Sequence, residues 1–521
     1  MALRSLYSAV GVIGGLTAIS RIFGFMRDII FAHFLGAGAA ADAFVLAFKL
    51  PNLFRRLTAE GALTNAFLPA YSLARKQAGA DKALVLATEV QGWLFLSLSL
   101  IVLVMELSMG SIISVLAPGF SDTQDRLDAA IMLAHITMPY LVMISLVALW
   151  AAICHADDDF VGGAAAPVIL NICLIAGALM IPASQSYYGY SDAYLAVPIA
   201  FCVLLAGMMQ MILLQLRLAR LRRRPAFRFK RLSKQGLAMW GAFLPAALGA
   251  GGMQLNLLVD LVLASFLDTG ALSWLYYADR LAQLPLGIIG IALGTALLPR
   301  LSSIYADSSP QAEKQAQFAS HISDSLTLAA ITVLPAMTGL IILSDELMAG
   351  LFVSGAFTAS DGSAAGLALV AYGVGLPAFV GIKITQAALY AMTRPQLVLI
   401  ISLFSVGINI VLSLYLMRIL GHVGLALATS ISIWLSWAIQ SVILFRQRYL
   451  DSQPLGLIVK ACCASLVMAA GLYGIMISGL LTETGALITM LVLVISGIMF
   501  YIAAALLFGL HHPFKAIAKD R

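Results

Sequence analysis

The sequence predicts an all-α polytopic membrane protein with about fourteen transmembrane helices, and three observations support this fold class. Of the 521 residues, 61% are hydrophobic and only 11% are charged, whereas soluble proteins carry about 25% charged residues. Apolar runs recur along the whole chain, and many reach the roughly 20 helical residues that span a bilayer core. Positive charges cluster in alternate connections between these runs, as the positive-inside rule requires of a membrane protein.

The apolar runs place the predicted helices, and the charged and turn-forming residues between the runs set their boundaries. The fourteen predicted helices cover residues 6–33, 38–70, 84–117, 128–154, 161–182, 192–220, 236–266, 272–303, 316–343, 362–391, 395–417, 421–446, 457–479 and 484–509. We expect the first helix to be retained rather than cleaved, because Arg21, Arg27 and Asp28 interrupt its apolar stretch and no convincing cleavage site follows.

The distribution of lysine and arginine predicts the orientation in the membrane. The most basic connection follows helix 6 and contains Arg217, Arg220, Arg222, Arg223, Arg224, Arg228, Lys230, Arg231 and Lys234. The odd-numbered connections offer little beyond Arg126 and Arg418, and several are acidic. We therefore expect a protein of the bacterial inner membrane with both termini in the cytoplasm. A basic run between two membrane spans makes nucleic acid a poor candidate partner.

Two similarities between segments suggest an internal repeat. Residues 64–72 (TNAFLPAYS) and 294–302 (GTALLPRLS) share alanine, leucine, proline and serine at a constant offset. Residues 116–120 (LAPGF) and 352–357 (FVSGAF) form similar connections after the third helix of each half. The predicted organisation is an N-lobe of helices 1–6 (1–222), a basic cytoplasmic loop (223–235), a C-lobe of helices 7–12 (236–448), and helices 13–14 with a cytoplasmic tail (449–521). Two parallel six-helix lobes around a central site are typical of alternating-access transporters.

Charged and polar residues inside the predicted spans mark the candidate site, because a charge at the bilayer centre costs ~2.5–3.5 kcal/mol on insertion scales. They are Arg21, Arg27 and Asp28 in helix 1; Asp42, Lys49, Arg55, Arg56 and Glu60 in helix 2; Tyr276, Asp279, Arg280 and Gln283 in helix 8; Asp260 in helix 7; and Lys383 in helix 10. Arginine binds phosphate bidentately and keeps its proton. A central cavity with arginines from both lobes would therefore be cationic and would bind a phosphate or diphosphate.

A structural explanation of the same charges remains open. Neighbouring charges can form ion pairs or membrane-edge anchors, and the candidates are Arg27–Asp28, Arg56–Glu60 and Asp279–Arg280. This explanation is weaker for Arg21, Arg55 and Arg280, which lack an equal number of well-placed acidic neighbours.

Three segments resemble the signature of a known family. They are residues 20–28 (SRIFGFMRD), residues 41–62 with their Ala-Asp-Ala-Phe, Lys-Leu-Pro-Asn-Leu-Phe-Arg-Arg and Ala-Glu-Gly-Ala runs, and residues 274–285 (WLYYADRLAQLP). The family is MurJ (also called MviN), the lipid II flippases of the multidrug/oligosaccharidyl-lipid/polysaccharide (MOP) exporter superfamily. The resemblance extends from about residue 5 to residue 510.

The resemblance implies a transporter, not an enzyme, that moves lipid II (undecaprenyl-diphosphate-MurNAc-pentapeptide-GlcNAc) from the cytoplasmic to the periplasmic leaflet for peptidoglycan synthesis. It implies that the substrate-binding residues are Arg21, Arg27, Arg55, Arg280 and Asp42. The residues expected to support them are Asp28, Lys49, Arg56, Glu60, Tyr276, Asp279 and Gln283. Helices 13 and 14 would hold the lipid tail. We expect the chain to act as a monomer, with lipid II and membrane lipids as its partners.

No cofactor is expected, and the candidate driving forces for transport are a sodium gradient and the membrane potential. Some relatives bind sodium between helices 7 and 11, and Asp260 and Asn409 lie at matching positions here. Ser413 stands one turn beyond Asn409, where another carboxylate would strengthen a cation site. The membrane potential is the alternative, since it supplies ~2.3 kcal/mol per charge per 100 mV.

Two other functions compete with this interpretation. A multidrug or polysaccharide exporter of the same superfamily would share the twelve-helix core but not this set of arginines or helices 13 and 14. A membrane enzyme acting on polyprenyl phosphates would use clustered aspartates to bind a metal–diphosphate, and the run from Cys154 to Asp159 (CHADDD) offers such a cluster. A second aspartate motif is missing from the sequence, so we expect this run to be a solvated loop.

Overall fold

The computed structural model describes residues 2–58, 62–188, 191–229, 231–450, 455–481 and 483–510. Across these ranges the chain is helical apart from short connections and one isolated β-bridge between Ser354 and Phe357. The prediction of an all-α fold is confirmed.

The described residues form twenty α-helices. They are α1 (Ala2–Leu35), α2 (Ala39–Thr58), α3 (Ala62–Ala78), α4 (Ala80–Leu107), α5 (Met109–Leu116), α6 (Gln124–Thr137), α7 (Tyr140–Ala156), α8 (Val161–Leu179), α9 (Ile181–Tyr188), α10 (Val197–Arg220), α11 (Lys234–Ser265), α12 (Ala271–Pro285), α13 (Ile291–Ala306), α14 (Gln311–Ile342), α15 (Ser344–Leu351), α16 (Ala359–Ala391), α17 (Pro395–Leu420), α18 (His422–Arg446), α19 (Leu455–Ile477) and α20 (Ala486–Leu507). Short 3₁₀ turns cover Pro118–Asp122 and Asp192–Tyr194, and a π-helical turn covers Leu286–Gly290.

Several predicted helices are divided in the structure. Predicted helix 4 becomes α6 and α7, and the division falls at Pro139, which has no N–H to donate to the preceding turn. Predicted helix 8 becomes α12 and α13, with the π-helical turn directly after Pro285. Proline and π-turns are the usual causes of a local change in helix direction. These divisions leave the predicted order of apolar segments intact.

Eleven helical segments among the described residues are long and apolar enough to cross a membrane. The three other predicted spans correspond to α1, the α2–α3 region and α11. Within α11, the segment Asn256–Ser265 is apolar but shorter than a membrane span. In α2 the reason is visible in the sequence, because Asp42, Lys49 and Arg55 lie within 20 residues. A polytopic membrane protein is confirmed, whereas the count of fourteen spans stays a prediction.

The backbone contacts divide the chain into two compact units. Unit 1 comprises Met1–Ser273 together with Ser354–Phe357, and unit 2 comprises Trp274–Val353 and Thr358–Arg521. This boundary differs from the lobe boundary drawn at residue 236, because α11 contacts α2, α3 and α4 of unit 1. In unit 2, α16 packs against α13, α14 and α18, and α19 packs against α14 and α20.

Both similar connections, 116–120 and 352–357, place a glycine against the end of a helix in unit 1. A Cβ atom on Gly119 would lie 2.2 Å from the carbonyl oxygen of Ser265, at the end of α11. A Cβ atom on Gly355 would lie 2.4 Å from the carbonyl oxygen of His33, near the end of α1, and Ala356 N donates to the same oxygen at 2.8 Å. Each connection therefore packs its glycine against the backbone at the end of a helix, where a Cβ atom would overlap a carbonyl oxygen.

A buried carboxylate, Asp42, ties three parts of unit 1 together. It lies near the start of α2, is 0% exposed, and accepts hydrogen bonds from Gly270 N at 2.7 Å, Ser273 N at 2.9 Å and Ser273 Oγ at 2.7 Å. Its fourth partner is Arg126 Nη2 of α6 at 2.6 Å. The sequence analysis placed Arg126 in a connection between helices; this was wrong, because Arg126 lies in α6, its side chain is 3% exposed and its guanidinium lies 3.7 Å above the Phe120 ring.

We expect Gly119→Ala to lower the apparent melting temperature of the purified protein by several degrees. The added methyl group overlaps the Ser265 carbonyl, and overpacking of this kind costs about 1–3 kcal/mol. Gly110→Ala is the matched control, because its nearest neighbour would be Ile131 Cδ1 at 4.0 Å. Equal melting temperatures for the two variants would contradict the close approach of Gly119 to α11.

We expect Asp42→Asn to destabilise the protein by about 3–5 kcal/mol, because it leaves the buried charge of Arg126 without its partner. The matched control is Asp125→Asn, which removes an exposed carboxylate next to Arg126 in the sequence. The measurement is thermal denaturation of the purified variants. A second comparison uses Asp42→Asn with Arg126→Gln: part of the lost stability should return if the unpaired charge is the cause. Equal stability of Asp42→Asn and Asp125→Asn would contradict the proposed role.

Candidate functional site

The structure distributes the predicted site residues over both units. Unit 1 contains Arg21, Arg27, Asp28, Asp42, Lys49 and Arg55, and unit 2 contains Tyr276, Asp279, Arg280 and Gln283. The side chain of Arg56 and the whole of Glu60 lie outside the described residues. The ion pair predicted between these two residues therefore stays a prediction.

Arg27 is a buried residue whose three guanidinium nitrogens are all engaged. Nε and Nη2 donate to Asp28 Oδ1 at 3.0 and 2.6 Å, and Nη1 donates to Asn171 Oδ1 at 2.9 Å. Arg27 and Asp28 are 7% and 2% exposed, so their ion pair is shielded from solvent. The structure therefore contains the ion pair between Arg27 and Asp28 that the structural explanation of these charges predicted.

Asn171 is a residue that the sequence analysis did not identify. It lies in α8, is 6% exposed, and donates through Nδ2 to the carbonyl oxygen of Ser20 at 3.0 Å while it accepts from Arg27. One amide thus connects α8 to two points on α1. The signal in the sequence is an asparagine inside an otherwise apolar run, which is costly in lipid unless its amide is satisfied.

Arg55 is half-buried in α2 and is oriented from within its own helix. Its Nε donates to Asn52 Oδ1 at 3.1 Å, and Asn52 Nδ2 donates to the carbonyl oxygen of Phe48 at 2.8 Å. Lys49 is also half-buried, whereas Arg21 on α1 is exposed. The Asn52 amide therefore orients the Arg55 guanidinium from within α2.

Arg280 is half-buried in α12 and is oriented by an aromatic neighbour one turn earlier. Its Nη2 donates to Tyr276 Oη at 3.1 Å, and its guanidinium carbon lies 4.8 Å from the centre of the Tyr276 ring. Asp279, which directly precedes Arg280, accepts a short hydrogen bond from Gln283 Nε2. Tyr276 and Arg280, which the sequence analysis placed on one helix face, are therefore in direct contact.

The carboxylate oxygens of Asp42 accept all their hydrogen bonds from groups of the protein itself. Two backbone amides, a hydroxyl and the Arg126 guanidinium surround the carboxylate, which has no exposed surface. In this structure Asp42 positions α2 relative to α6 and to the turn between α11 and α12. A direct substrate contact by Asp42 stays a prediction from the family resemblance.

The two residues of the predicted sodium site have different environments. Asp260 in unit 1 is half-buried and accepts from Asn256 Nδ2 at 3.3 Å. Asn409 in unit 2 is 1% exposed and donates to Thr429 Oγ1 at 3.2 Å. One turn on, Ser413 Oγ is buried and has no hydrogen-bond partner among the described residues. The described part of the chain contains no group of three histidine, cysteine or acidic residues that could hold a metal ion.

Two carboxylates of the aspartate run that suggested an enzyme, Asp157 and Asp159, form ion pairs with arginines. Asp157 pairs with Arg75 Nη2 at 2.5 Å and with Arg223 Nε at 3.3 Å, and Asp159 lies 3.6 Å from Arg217 Nη1. These pairs join α3, α7 and α10 within unit 1. Carboxylates that are held by arginines are poor ligands for a metal–diphosphate, so the contacts weaken the enzyme hypothesis.

Comparisons with known proteins agree with the resemblance seen in the sequence. The family model described as lipid II flippase MurJ matches residues 31–496. A probable lipid II flippase MurJ of Rhizobium tropici is 34% identical over 505 residues, covering 94% of this chain and 92% of that protein. The corresponding protein of Vibrio cholerae is 32% identical over 449 residues, covering 82% and 81%.

Solved structures give the same result for the fold. A lipid II flippase MurJ in an inward closed conformation superposes with a TM-score of 0.78 at 25% identity, covering 95% of this chain and 98% of that one. An inward-facing MATE family multidrug transporter of the MOP superfamily has a TM-score of 0.64 at 16% identity, which shows a shared fold alone. Since the family model spans most of the chain and the relatives exceed 30% identity over most of their length, the chain belongs to the MurJ family of lipid II flippases.

Proposed function

We propose that this chain translocates lipid II from the cytoplasmic to the periplasmic leaflet of the inner membrane by alternating access. The observation that carries the proposal is the match to the flippase family over residues 31–496. The arginines of the signature segments support it, since hydrogen bonds to Asn52 and Tyr276 orient Arg55 and Arg280.

The chemistry of lipid II fits these residues. Its polyprenyl tail gains ~0.8 kcal/mol for each methylene kept in apolar surroundings, so only the headgroup needs a path across the membrane. The barrier is the dehydration of the diphosphate and the sugars. Guanidinium groups lower this barrier because they replace water with charge-assisted hydrogen bonds to the phosphate oxygens. No covalent step is required.

We assign diphosphate binding to Arg55 in unit 1 and to Arg280 in unit 2. Both arginines lie in the segments that resemble the family signature, and a hydrogen bond within its own helix orients each guanidinium. Arg27 is held by Asp28 and by Asn171 of α8. We assign Arg27 to the control of α1, with diphosphate binding only after its bond to Asp28 is broken.

The family resemblance predicts that the two C-terminal helices, α19 and α20, hold the lipid tail, and we propose that the tail lies between α20 and the neighbouring α14 (Gln311–Ile342). A groove of about 380 Å³ is present there, lined by Ile331, Pro335, Tyr501, Ile502 and Leu506. Tyr501 Oη donates to the carbonyl oxygen of Ile331 at 2.5 Å, and Thr332 Oγ1, which also lines the groove, donates to the carbonyl oxygen of Leu328 at 2.8 Å. Both hydroxyl groups are thus bound to the protein, and the rest of the lining is apolar and suits an isoprenoid chain.

The test of the flippase function is the exposure of lipid II to a periplasmic lipid II-cleaving toxin after depletion of the native protein. Cleavage product should disappear on depletion and return with the wild-type chain. Arg55→Lys and Arg280→Lys should restore it about 10–100-fold less well, because lysine keeps the charge but loses bidentate hydrogen bonds worth ~1.5–3 kcal/mol. Arg446→Lys, at the exposed end of α18, is the matched control.

Two outcomes would contradict this proposal. If lipid II remains accessible without the protein, the cargo is another molecule and an exporter function takes precedence. If both lysine variants match Arg446→Lys while Arg55→Ala and Arg280→Ala fail to restore cleavage, a positive charge alone is sufficient and the proposal of bidentate binding is wrong.

We also propose that sodium drives transport, with Asn409 and Ser413 of unit 2 as neutral oxygen ligands. A part for Asp260 stays a prediction from the family resemblance. The buried hydroxyl of Ser413 without a hydrogen-bond partner supports a ligand at this end of α17. The prediction is that Asn409→Ala abolishes the dependence of transport on a sodium gradient in proteoliposomes. Ser405→Ala is the control, because Ser405 Oγ is also buried but already donates to the carbonyl oxygen of Ser432. Wild-type transport that follows only the membrane potential would favour the voltage alternative.

A further inference from the structure

A second groove lies in unit 1, away from all the residues assigned to lipid II. Its volume is about 400 Å³, and its lining includes Trp150 of α7, Ile212 and Leu216 of α10, and Arg224, Pro225 and Phe227 of the connection that follows α10. The lysine and arginine distribution predicts that this end of α10 faces the cytoplasm. The sequence analysis treated the connection as a basic loop and overlooked Phe227 and Phe229 between its arginines.

The segment 224–229, which we call the strap, is held in place by α4. Ala226 N donates to Thr88 Oγ1 at 3.2 Å, and Gln91 Nε2 donates to the Ala226 carbonyl oxygen at 3.5 Å. Gln91 in turn accepts from Trp150 Nε1 at 2.7 Å. Gly92 allows close approach, because a Cβ there would lie 3.0 Å from the Arg228 carbonyl oxygen. The groove is therefore preformed rather than created by a chance loop position.

The strap presents aromatic rings that remain exposed although its backbone is fixed. Phe227 is 59% exposed and Phe229 is 67% exposed. The Phe227 ring meets Phe95 and Trp150 edge-on, at centroid distances of 6.0 and 6.5 Å. Aromatic side chains of membrane proteins concentrate at the level of the lipid headgroups. The rings thus place the strap at the boundary between acyl chains and headgroups.

The floor of the groove continues into an apolar stripe along α10. The exposed residues of this stripe follow helical spacing and are Phe201, Leu205, Met208, Ile212 and Leu216. Residues spaced by three or four positions share one face of a helix. An acyl chain that lies along this stripe can therefore enter the groove without crossing a polar surface.

The rim of the groove is cationic. Arg224 Nε donates to the Gln215 carbonyl oxygen at 3.0 Å, and its two Nη groups have no protein partner in the part of the chain that the structure describes. Arg222 and Arg228 are exposed on either side. By contrast, Arg217 and Arg223 are paired with Asp159 and Asp157. The bond to Gln215 fixes Arg224 with its two Nη groups available to an anion.

We propose that this groove binds one anionic phospholipid of the cytoplasmic leaflet, with its phosphate on Arg224 and one acyl chain along Ile212 and Leu216. The combination of an apolar floor, exposed interfacial rings and a fixed guanidinium matches all parts of such a lipid. Basic pockets between transmembrane helices on the cytoplasmic side are a recurring form of anionic headgroup recognition. The proposal is independent of the transport function, since none of its residues is assigned to lipid II.

The test uses the purified full-length protein and native mass spectrometry with an equal mixture of dioleoyl phosphatidylglycerol and dioleoyl phosphatidylcholine. The two lipids have the same acyl chains, so only the headgroup charge distinguishes them. The wild type should retain phosphatidylglycerol preferentially, and Arg224→Gln should reduce this retention about fivefold. Leu216→Trp should fill the groove and reduce retention while Arg224 is kept. Leu216 is 54% exposed, so this variant should fold.

The matched control is Arg446→Gln, which removes an exposed arginine next to Phe445, itself 57% exposed, at the end of α18. It should retain phosphatidylglycerol like the wild type. Equal binding of the two lipids by the wild type would overturn the proposal. Equal losses for Arg224→Gln and Arg446→Gln would also overturn it, because they would show general attraction to basic residues instead of a site.

Discussion

The carboxylate of Asp42 is held by four donors inside unit 1, and the arrangement of the surrounding helices depends on this contact. A buried charge is tolerated only when its hydrogen-bonding capacity is satisfied. Asp42 therefore fixes the start of α2, the start of α6 and the turn that follows α11 in one geometry. Arg126 completes the contact and itself rests on the Phe120 ring. The same constraint governs Arg27, which is buried only together with Asp28 and Asn171.

The sequence was sufficient to predict the helical fold and the family. It was not sufficient to predict the partners of the charged residues. Asp42 and Arg126 are separated by 84 positions, and hydrophobic periodicity contains no information about which distant charges meet. Arg126 was assigned to a connection between helices because charged residues usually end a membrane span. Asn171 was overlooked for a related reason, since a single asparagine barely changes the hydropathy of its helix.

The repeated connections illustrate what an internal similarity can and cannot predict. The matching runs around Gly119 and Gly355 predicted two equivalent connections after the third helix of each half. They did not predict that each glycine closes on the first helix of the other half, α11 for Gly119 and α1 for Gly355. Gly355 adopts φ +59° at this contact, a conformation that favours glycine. The contacts follow from backbone geometry in three dimensions, whereas the sequence records only that a small residue is required.

The arginines of the predicted site are held by different contacts. Asn52 and Tyr276 orient Arg55 and Arg280 from within their own helices. Arg27 is compensated by Asp28, and a diphosphate can bind its guanidinium only by competing with that carboxylate. Because Asn171 holds both Arg27 and the Ser20 carbonyl oxygen, release of Arg27 also weakens the attachment of α1 to α8. On the proposed function, a diphosphate that displaces Asp28 from Arg27 would therefore change the position of α1, and this would couple cargo binding to the conformation of the protein.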